Sequence, residues 1–501
     1  MAPTVPPVPL GRQLLRRKPL DLAHGGRDGE RLERTLSTFQ LTMFGVGATV
    51  GTGIFFVLGV AVPKAGPAVL ISFVVAALAA GLSALCYAEM ASAIPVSGST
   101  YSYAYYAFGE GIAMFIAGCV ILEYGVSAGA VAVGWSGYFN ELLRSLTGLE
   151  LPHELLVTWV PNLSGTVPGV VNLPAVVLVL LCMFLLLRGA TESATVNAIM
   201  VLTKLGVLAL FVVIGFSAFQ ADHFSNFFGK GFAGISAAAG TIFFSFIGLD
   251  AVATAGEEVK NPQKALPRAI IGSLLIVGIT YILVAAAGLA AEPADYFASP
   301  EMAEAGLAHI LQQVTGNNIW STVLAAGAVI SIFSVTLVVL YGQTRILFAI
   351  SRDGLMPERF TKVNPRHMVP TFNTVVVSVI VALIAGFVPA DYLWDTVSIG
   401  TLMAFSVVAI GVLVMRRTHP DLERPFKVPG YPVTPVLTVA VCVYILSGLA
   451  PITWAIFGSW IVIVAAFYLL WGRRHARLND PALQEEHRQV ASSSAGKDAS
   501  A

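Results

Sequence analysis

Gly45, Gly47, Gly51 and Gly53 fall within nine residues of an apolar run, roughly 39–61, that is long enough to cross a bilayer. Glycine costs about 1 kcal/mol in a helix interior and accepts most backbone angles, so this spacing predicts a helix that opens. Open backbone at bilayer depth is tolerated only where protein buries it or a water-filled cavity meets it. A half-helix restarting after the break would present the N–H groups of Gly51, Thr52 and Gly53, backed by the positive end of its dipole, to an anion such as a carboxylate. The carbonyls freed before the break, Thr49 and Val50, are acceptors. A second interruption, Phe243-Phe244-Ser245-Phe246-Ile247-Gly248-Leu249-Asp250-Ala251, adds the carbonyls of Phe244, Ser245 and Ile247. Donors on one side and acceptors on the other complement an α-amino acid zwitterion. Each piece of the second interruption also has a plainer reading: Gly248 as a close-packing position, Asp250 as a helix cap.

Two ionisable groups lie deep in other apolar runs. Lys204 has about ten apolar residues on each side, and a basic group at that depth costs at least ~2.5 kcal/mol, which marks it as functional rather than snorkelling to an interface. Glu123 reads equally as a brace against neighbouring backbone or as a negative group lining a cavity.

The elements that position these residues follow from composition. Hydrophobic residues make up 56% of the chain and charged ones 12%, the profile of a membrane protein, and the formal net charge of +0 points to no nucleic acid or acidic partner. Twelve spans are expected, at roughly 39–61, 67–93, 111–137, 171–190, 194–218, 233–255, 268–290, 319–349, 371–388, 392–415, 432–449 and 452–471. Each approaches the ~20 apolar residues that a hydrocarbon core of ~30 Å requires. With the N-terminus inside, 25 of the 29 Lys and Arg residues fall on the cytoplasmic side and three outside, so both termini are expected in the cytoplasm of a cell-membrane protein. The N-terminal stretch lacks a signal-peptide pattern and reads as a flexible arm, residues 1–38. The polar tail, 472–501, reads as disordered. Cys86, Cys119, Cys182 and Cys442 sit in apolar runs without metal-ligand spacing, so no disulfide, metal or cofactor is expected. Asn162-Leu163-Ser164 is a glycosylation sequon on an outside loop.

The two interrupted spans are five apart, which inverts one relative to the other. Matching breaks in inverted halves point to a midplane site of a secondary transporter. Together with further motifs the chain resembles the amino acid–polyamine–organocation superfamily, and within it the cationic amino acid transporter family and its bacterial relatives. The residues carrying the resemblance are the glycine run, Tyr87-Ala88-Glu89, Pro95-Val96-Ser97-Gly98-Ser99, Leu122-Glu123-Tyr124, Ile247-Gly248-Leu249-Asp250, and Tyr341-Gly342-Gln343-Thr344-Arg345 through Ser351-Arg352-Asp353-Gly354. It covers about residues 32–475.

That resemblance implies an all-α integral membrane protein of the leucine-transporter-type fold, with 5+5 inverted repeats over 39–218 and 233–415, discontinuous helices 1 and 6, and two appended helices over 432–471. It implies uptake of small neutral, and secondarily cationic, L-amino acids. It also places Lys204 where sodium-coupled relatives hold Na⁺, within reach of the helix 1 carbonyls and of Ser331 or Ser334, which suggests proton symport. Ile332 corresponds to a position limiting the side-chain pocket. Glu89 and Asp250 are expected to be architectural, and Arg345, Arg352 and Asp353 to form an inner-gate network. Alternative readings are a cationic amino acid or polyamine facilitator or exchanger, and a non-transporting amino acid sensor. No HExxH or P-loop suggests an enzyme. The loop at 138–170 has no cysteine, so no disulfide-linked heavy chain is expected; the partners are the substrate, a proton and the lipid bilayer.

Overall fold

The computed structural model describes residues 9–19, 36–96, 98–160, 169–188, 194–256, 259–299, 301–364, 369–449 and 451–479. The sequon, the arm outside 9–19 and 36–38, and the tail beyond 479 lie outside the described residues. Among those described, helix is the only extended element, with two isolated β-bridges, Leu36 to Val259 and Thr158 to Val170.

After a short α1 (Leu10–Leu14), α2 (Thr38–Thr49) starts on a reciprocal cap: Gln40 N–H donates to Ser37 Oγ at 3.3 Å and Ser37 N–H to Gln40 Oε1 at 3.0 Å. The chain breaks at Val50 and Gly51 and resumes as α3 (Thr52–Ala65), then turns at Gly66, φ +62°, into α4 (Val69–Ala93). Next come α5 (Ser99–Ala107), α6 (Glu110–Thr147), α7 (Leu173–Leu187) and α8 (Ala194–Ser217). A second broken segment follows: α9 (Gly231–Phe243), a 3₁₀ turn at Phe244–Phe246, and the short α10 (Ala251–Thr254). The remainder is α11 (Pro262–Ala291), α12 (Glu301–Thr315), α13 (Asn318–Arg352), α14 (Thr371–Phe387), α15 (Ala390–Thr418), α16 (Val433–Ser447) and α17 (Pro451–Phe467).

Eight helical stretches among the described residues are long and apolar enough to cross a membrane, and α7, α14 and α16 are shorter apolar helices of 15, 17 and 15 residues. Their shortness has local causes. Asn172 caps α7 with Pro174 in its first turn, and Pro370 and Pro432 immediately precede α14 and α16. In the other direction α6 runs ten residues past the expected 137, because nothing breaks it before the left-handed Gly148, φ +72°.

α6, α13 and α15 are the inner helices, mostly buried, with α13 packed along α6 and α11 along α4. Large apolar side chains such as Leu78, Phe184, Val213 and Leu470 face outward. Outward apolar surface on this scale belongs against lipid rather than water.

Candidate functional site

The two breaks meet. Gly248 has φ +102°, and a Cβ there would lie 2.8 Å from Ala48 O, so the turn after Phe246 rests directly on the end of α2. Both requirements, the left-handed backbone and the close approach, demand glycine. On the other side, a Cβ on Gly53 would fall 2.7 Å from Ser245 Cα, while one on Gly51 would meet only Val335 methyls at 3.2 and 3.3 Å. The glycines therefore let two irregular backbones touch.

Their polar groups are partly taken up by protein. Gly51 N–H folds back to Thr49 O at 2.9 Å, so it is not the free donor the sequence suggested. Gly51 is also the N-cap of α3 and has no side chain to cap it. The first-turn N–H groups of Thr52, Gly53 and Ile54, which an α-helix leaves without internal partners, are the donors that remain. Thr49 O and Ser245 O share the Tyr281 hydroxyl, at 2.9 and 3.0 Å, and Phe244 O accepts Ile247 N–H at 3.1 Å. Since a carbonyl oxygen has two lone pairs, Ser245 O and Phe244 O keep acceptor capacity, whereas Thr49 O already has two donors.

Lys204 is 1% exposed and lies behind this junction. Its Nζ donates to Gly47 O at 3.0 Å, Val50 O at 3.1 Å and Ser334 Oγ at 3.2 Å. The Ser331 hydroxyl reaches Val50 O at 3.5 Å and Ser334 Oγ donates to Ser331 O at 3.0 Å. One ammonium thus ties α8 to the end of α2 and to the middle of α13, with a set of oxygens that suits a small cation.

Other residues are distributed around this centre. Phe244 and Ile247 pack in a separate apolar cluster with Val126, Ala130, Leu393 and Val397, and Phe244 meets Trp394 edge-on at 4.5 Å. Ile332 is fully buried in the main core instead, away from that cluster. Asp250 stands at the N-cap position of α10 with its carboxylate turned to Tyr124, whose hydroxyl donates to Oδ2 at 2.8 Å. Glu123, one residue earlier on α6, is 2% exposed, and its Oε1 has no partner among the described residues. Gly400 of α15 is pressed against it, since a Cβ there would lie 3.4 Å from Glu123 Cβ.

Glu89 is remote from the junction. It holds Arg416 through two contacts, 2.8 and 2.5 Å, and accepts Val428 N–H at 2.7 Å, fastening α4 to the end of α15. Arg345 stacks on the Tyr341 ring at 4.7 Å and bonds the Tyr341 hydroxyl. Asp353 takes its ion pair from Lys18 at 2.7 Å and a hydrogen bond from Tyr101 at 2.9 Å. Arg477 Nη1 donates to the Arg352 carbonyl at 3.5 Å. The four cysteines are buried.

Tyr281 is the site residue that sequence reasoning missed. Its one signal was a phenol in the middle of the apolar run of α11, at a depth where a hydroxyl needs a partner.

An amino acid permease profile matches residues 36–472, nearly the whole described chain. The chain belongs to the amino acid permease family. The permease is 42% identical over 473 residues to the branched-chain amino acid permease BcaP of Bacillus subtilis (strain 168), covering 93% of this chain and 99% of that one. It is 40% identical over 468 residues to the methylthioribose transporter of the same organism, with the same coverage. It is also 38% identical over 425 residues to cationic amino acid transporter 2, vacuolar, of Arabidopsis thaliana, covering 83% of this chain and 64% of the relative. With its long apolar helices, the permease is an integral membrane protein and a transporter.

Proposed function

We propose that the permease takes up small neutral L-amino acids across the cell membrane by proton symport, with both termini in the cytoplasm. The observation that carries this reading is the junction itself, where two broken helices cross at glycines and one buried lysine is bonded to the carbonyls of the first. In this reading the uncapped start of α3 seats the substrate carboxylate and the carbonyls of Ser245 and Ile247 accept its ammonium, Val50 O being already held by Lys204 and Ser331. The twelve-span count follows if α2 with α3 and α9 with α10 are single broken spans and α7, α14 and α16 also cross. Two inverted repeats of five then place the junction at mid-membrane.

Proton coupling rests on Lys204. Coupling requires that the conformations open to each side hold its proton with different affinity. The carbonyls of Gly47 and Val50 lie at the end of α2, so movement of α2 against α8 would change the set of oxygens around the Lys204 nitrogen. Lys204→Met removes both the charge and the donors, whereas Lys204→Gln keeps an amide that can bond the same carbonyls. In proteoliposomes both variants are expected to lose accumulation driven by an inward proton gradient, while Lys204→Gln retains amino acid binding. Proton-driven accumulation by Lys204→Gln, or accumulation that needs a sodium gradient and ignores pH, overturns the mechanism.

A second reading has specific support. The unpartnered Glu123 oxygen would receive the side-chain charge of a cationic amino acid, the substrate named for the Arabidopsis relative. Competition of unlabelled alanine, leucine, arginine and methylthioribose against labelled alanine separates these. Methylthioribose has neither carboxylate nor amine, so its competition would count against recognition through backbone at both breaks.

A further inference from the structure

The start of the chain, rich in Pro and Arg, reads as a free arm, yet residues 9–19 are laid against the protein. Gln13 is 3% exposed, and its Nε2 donates to Glu110 Oε1 at 3.1 Å and to Arg473 O at 2.6 Å. Arg16 Nη2 pairs with Glu110 Oε2 at 2.7 Å, while its Nη1 donates to Leu478 O at 2.8 Å and Asn479 Oδ1 at 3.0 Å. The Tyr105 and Tyr468 hydroxyls donate to the same carboxylate at 3.2 and 2.8 Å. Backbone joins in: Lys18 N–H donates to Tyr105 O at 3.3 Å and Glu110 N–H to Arg16 O at 3.0 Å. One buried carboxylate thus gathers the N-terminal segment, the start of α6 and the chain after α17. The first residues of the tail read as disordered, 473–479, are part of this arrangement.

The seat is cut to the segment. A Cβ on Gly109 would lie 2.7 Å from Leu15 C, and one on Gly111 would lie 2.8 Å from Leu14 Cδ2. Gly109 has φ +106° and needs glycine for its backbone alone. Gly111 does not, since it lies in regular helix, where alanine is favoured by about 1 kcal/mol. What a side chain there would have to displace is Leu14.

Burying an ion pair is a weak way to gain stability, and its better-attested use is to hold one arrangement against another. Two residues beyond Arg16, Lys18 pairs with Asp353 at the end of α13. The segment therefore bridges α5, α6, α13 and the stretch after α17.

We propose that residues 9–19 and 473–479 form a clasp that holds the face it bridges closed, and that its release is one of the steps by which the permease opens there. The proposal rests on the reading of the chain as a transporter that opens to each side in turn. Releasing the clasp shifts the population toward the conformation open at the clasp face. Substrate arriving from that face then meets a competent state more often, and substrate arriving from the other face less often.

The test uses the full chain in proteoliposomes of known orientation, with Gly111→Val to fill the seat and Arg16→Gln to remove the ion pair. Docking is read as the rate of trypsin cleavage after Arg17, by mass spectrometry, and function as the apparent KM measured from each face. In both variants cleavage is expected to be at least tenfold faster. The KM from the clasp face should fall three- to tenfold while that from the opposite face rises. Fast cleavage with both KM values unchanged makes the segment a mere anchor and overturns the proposal. So does cleavage as slow as wild type in both variants, because the seat and the pair then do not hold the segment. Failure of the transport reading shows itself earlier, as wild-type protein that moves no amino acid.

Discussion

Tyr281→Phe removes one oxygen from the junction and leaves the ring where it is, against Phe246 at 5.3 Å and Phe73 at 6.5 Å. The lost hydroxyl faces Thr49 O at 2.9 Å and Ser245 O at 3.0 Å, and it is the side chain that spans both breaks. Thr49 O keeps Gly51 N–H, so the deficit falls mainly on Ser245 O. A buried acceptor left without its donor costs about 1–3 kcal/mol, and a neutral hydrogen bond is worth about 1. If the hydroxyl sets the spacing between the two groups of carbonyls, that energy appears in substrate affinity. At ~1.4 kcal/mol per tenfold, the apparent KM should rise about 5- to 150-fold. Uptake kinetics in proteoliposomes measure this, with thermal unfolding in detergent as the control. The melting temperature should move by only a few degrees, because the packing survives. A KM within twofold of wild type in folded protein would refute the claim that this hydroxyl positions the site.

Gly53→Ala and Gly51→Ala should separate sharply in uptake, although both lie in one glycine run. The first drives a methyl to 2.7 Å from Ser245 backbone and should abolish uptake; the second meets Val335 methyls at 3.2 Å, which can shift, and should retain a measurable fraction. Equal losses in protein of wild-type abundance would contradict the contact at Ser245. Glu89→Gln leaves Arg416 without its bidentate partner at the end of α15 and should lower stability by about 3 kcal/mol, seen as a lower melting temperature and unchanged substrate preference. His419, beyond the end of α15, is held below its ordinary 6.5 by burial first and then by Arg17 and Arg424. Protonation is therefore disfavoured in the packed loop, and acidification below about 6.5 should favour a loosened one. Amide protection factors over residues 419–428, with the intrinsic pH dependence of exchange divided out, should fall between pH 7 and 5 in the wild type and lose that dependence in His419→Gln.

The helices were readable because each is a long apolar run, a property of single residues and their order. Their ends were less so, because a membrane boundary is not a helix boundary. Past residue 137 the chain turns polar at Asn140, Glu141 and Arg144, yet α6 continues until a glycine permits the left-handed turn at 148. The breaks could be located from glycine spacing alone, since conformational freedom is intrinsic to the residue. Which N–H groups stay free could not, because Gly51 folds onto Thr49 through a local turn that several backbone paths would avoid.

Pairs are where sequence reading runs out. Lys204 declares its depth by its neighbours, but its three oxygens come from α2 and α13, and nothing in α8 specifies them. Tyr281 is harder still, since a tyrosine in an apolar helix is common and only the crossing of two distant breaks supplies its acceptors. The N-terminal segment is the extreme case. Its composition is that of a solvated arm, and what holds it is a carboxylate 94 residues away from Arg16 whose own helix reads as an ordinary apolar span. Arg16 and Glu110 each look like a charge at a membrane boundary, and their meeting depends on Gly109 and Gly111 leaving room for Leu14 and Leu15. A glycine in a regular helix with no conformational need for it is the trace such a meeting leaves in a sequence. It shows that something packs there, and the partner's identity comes only with the fold.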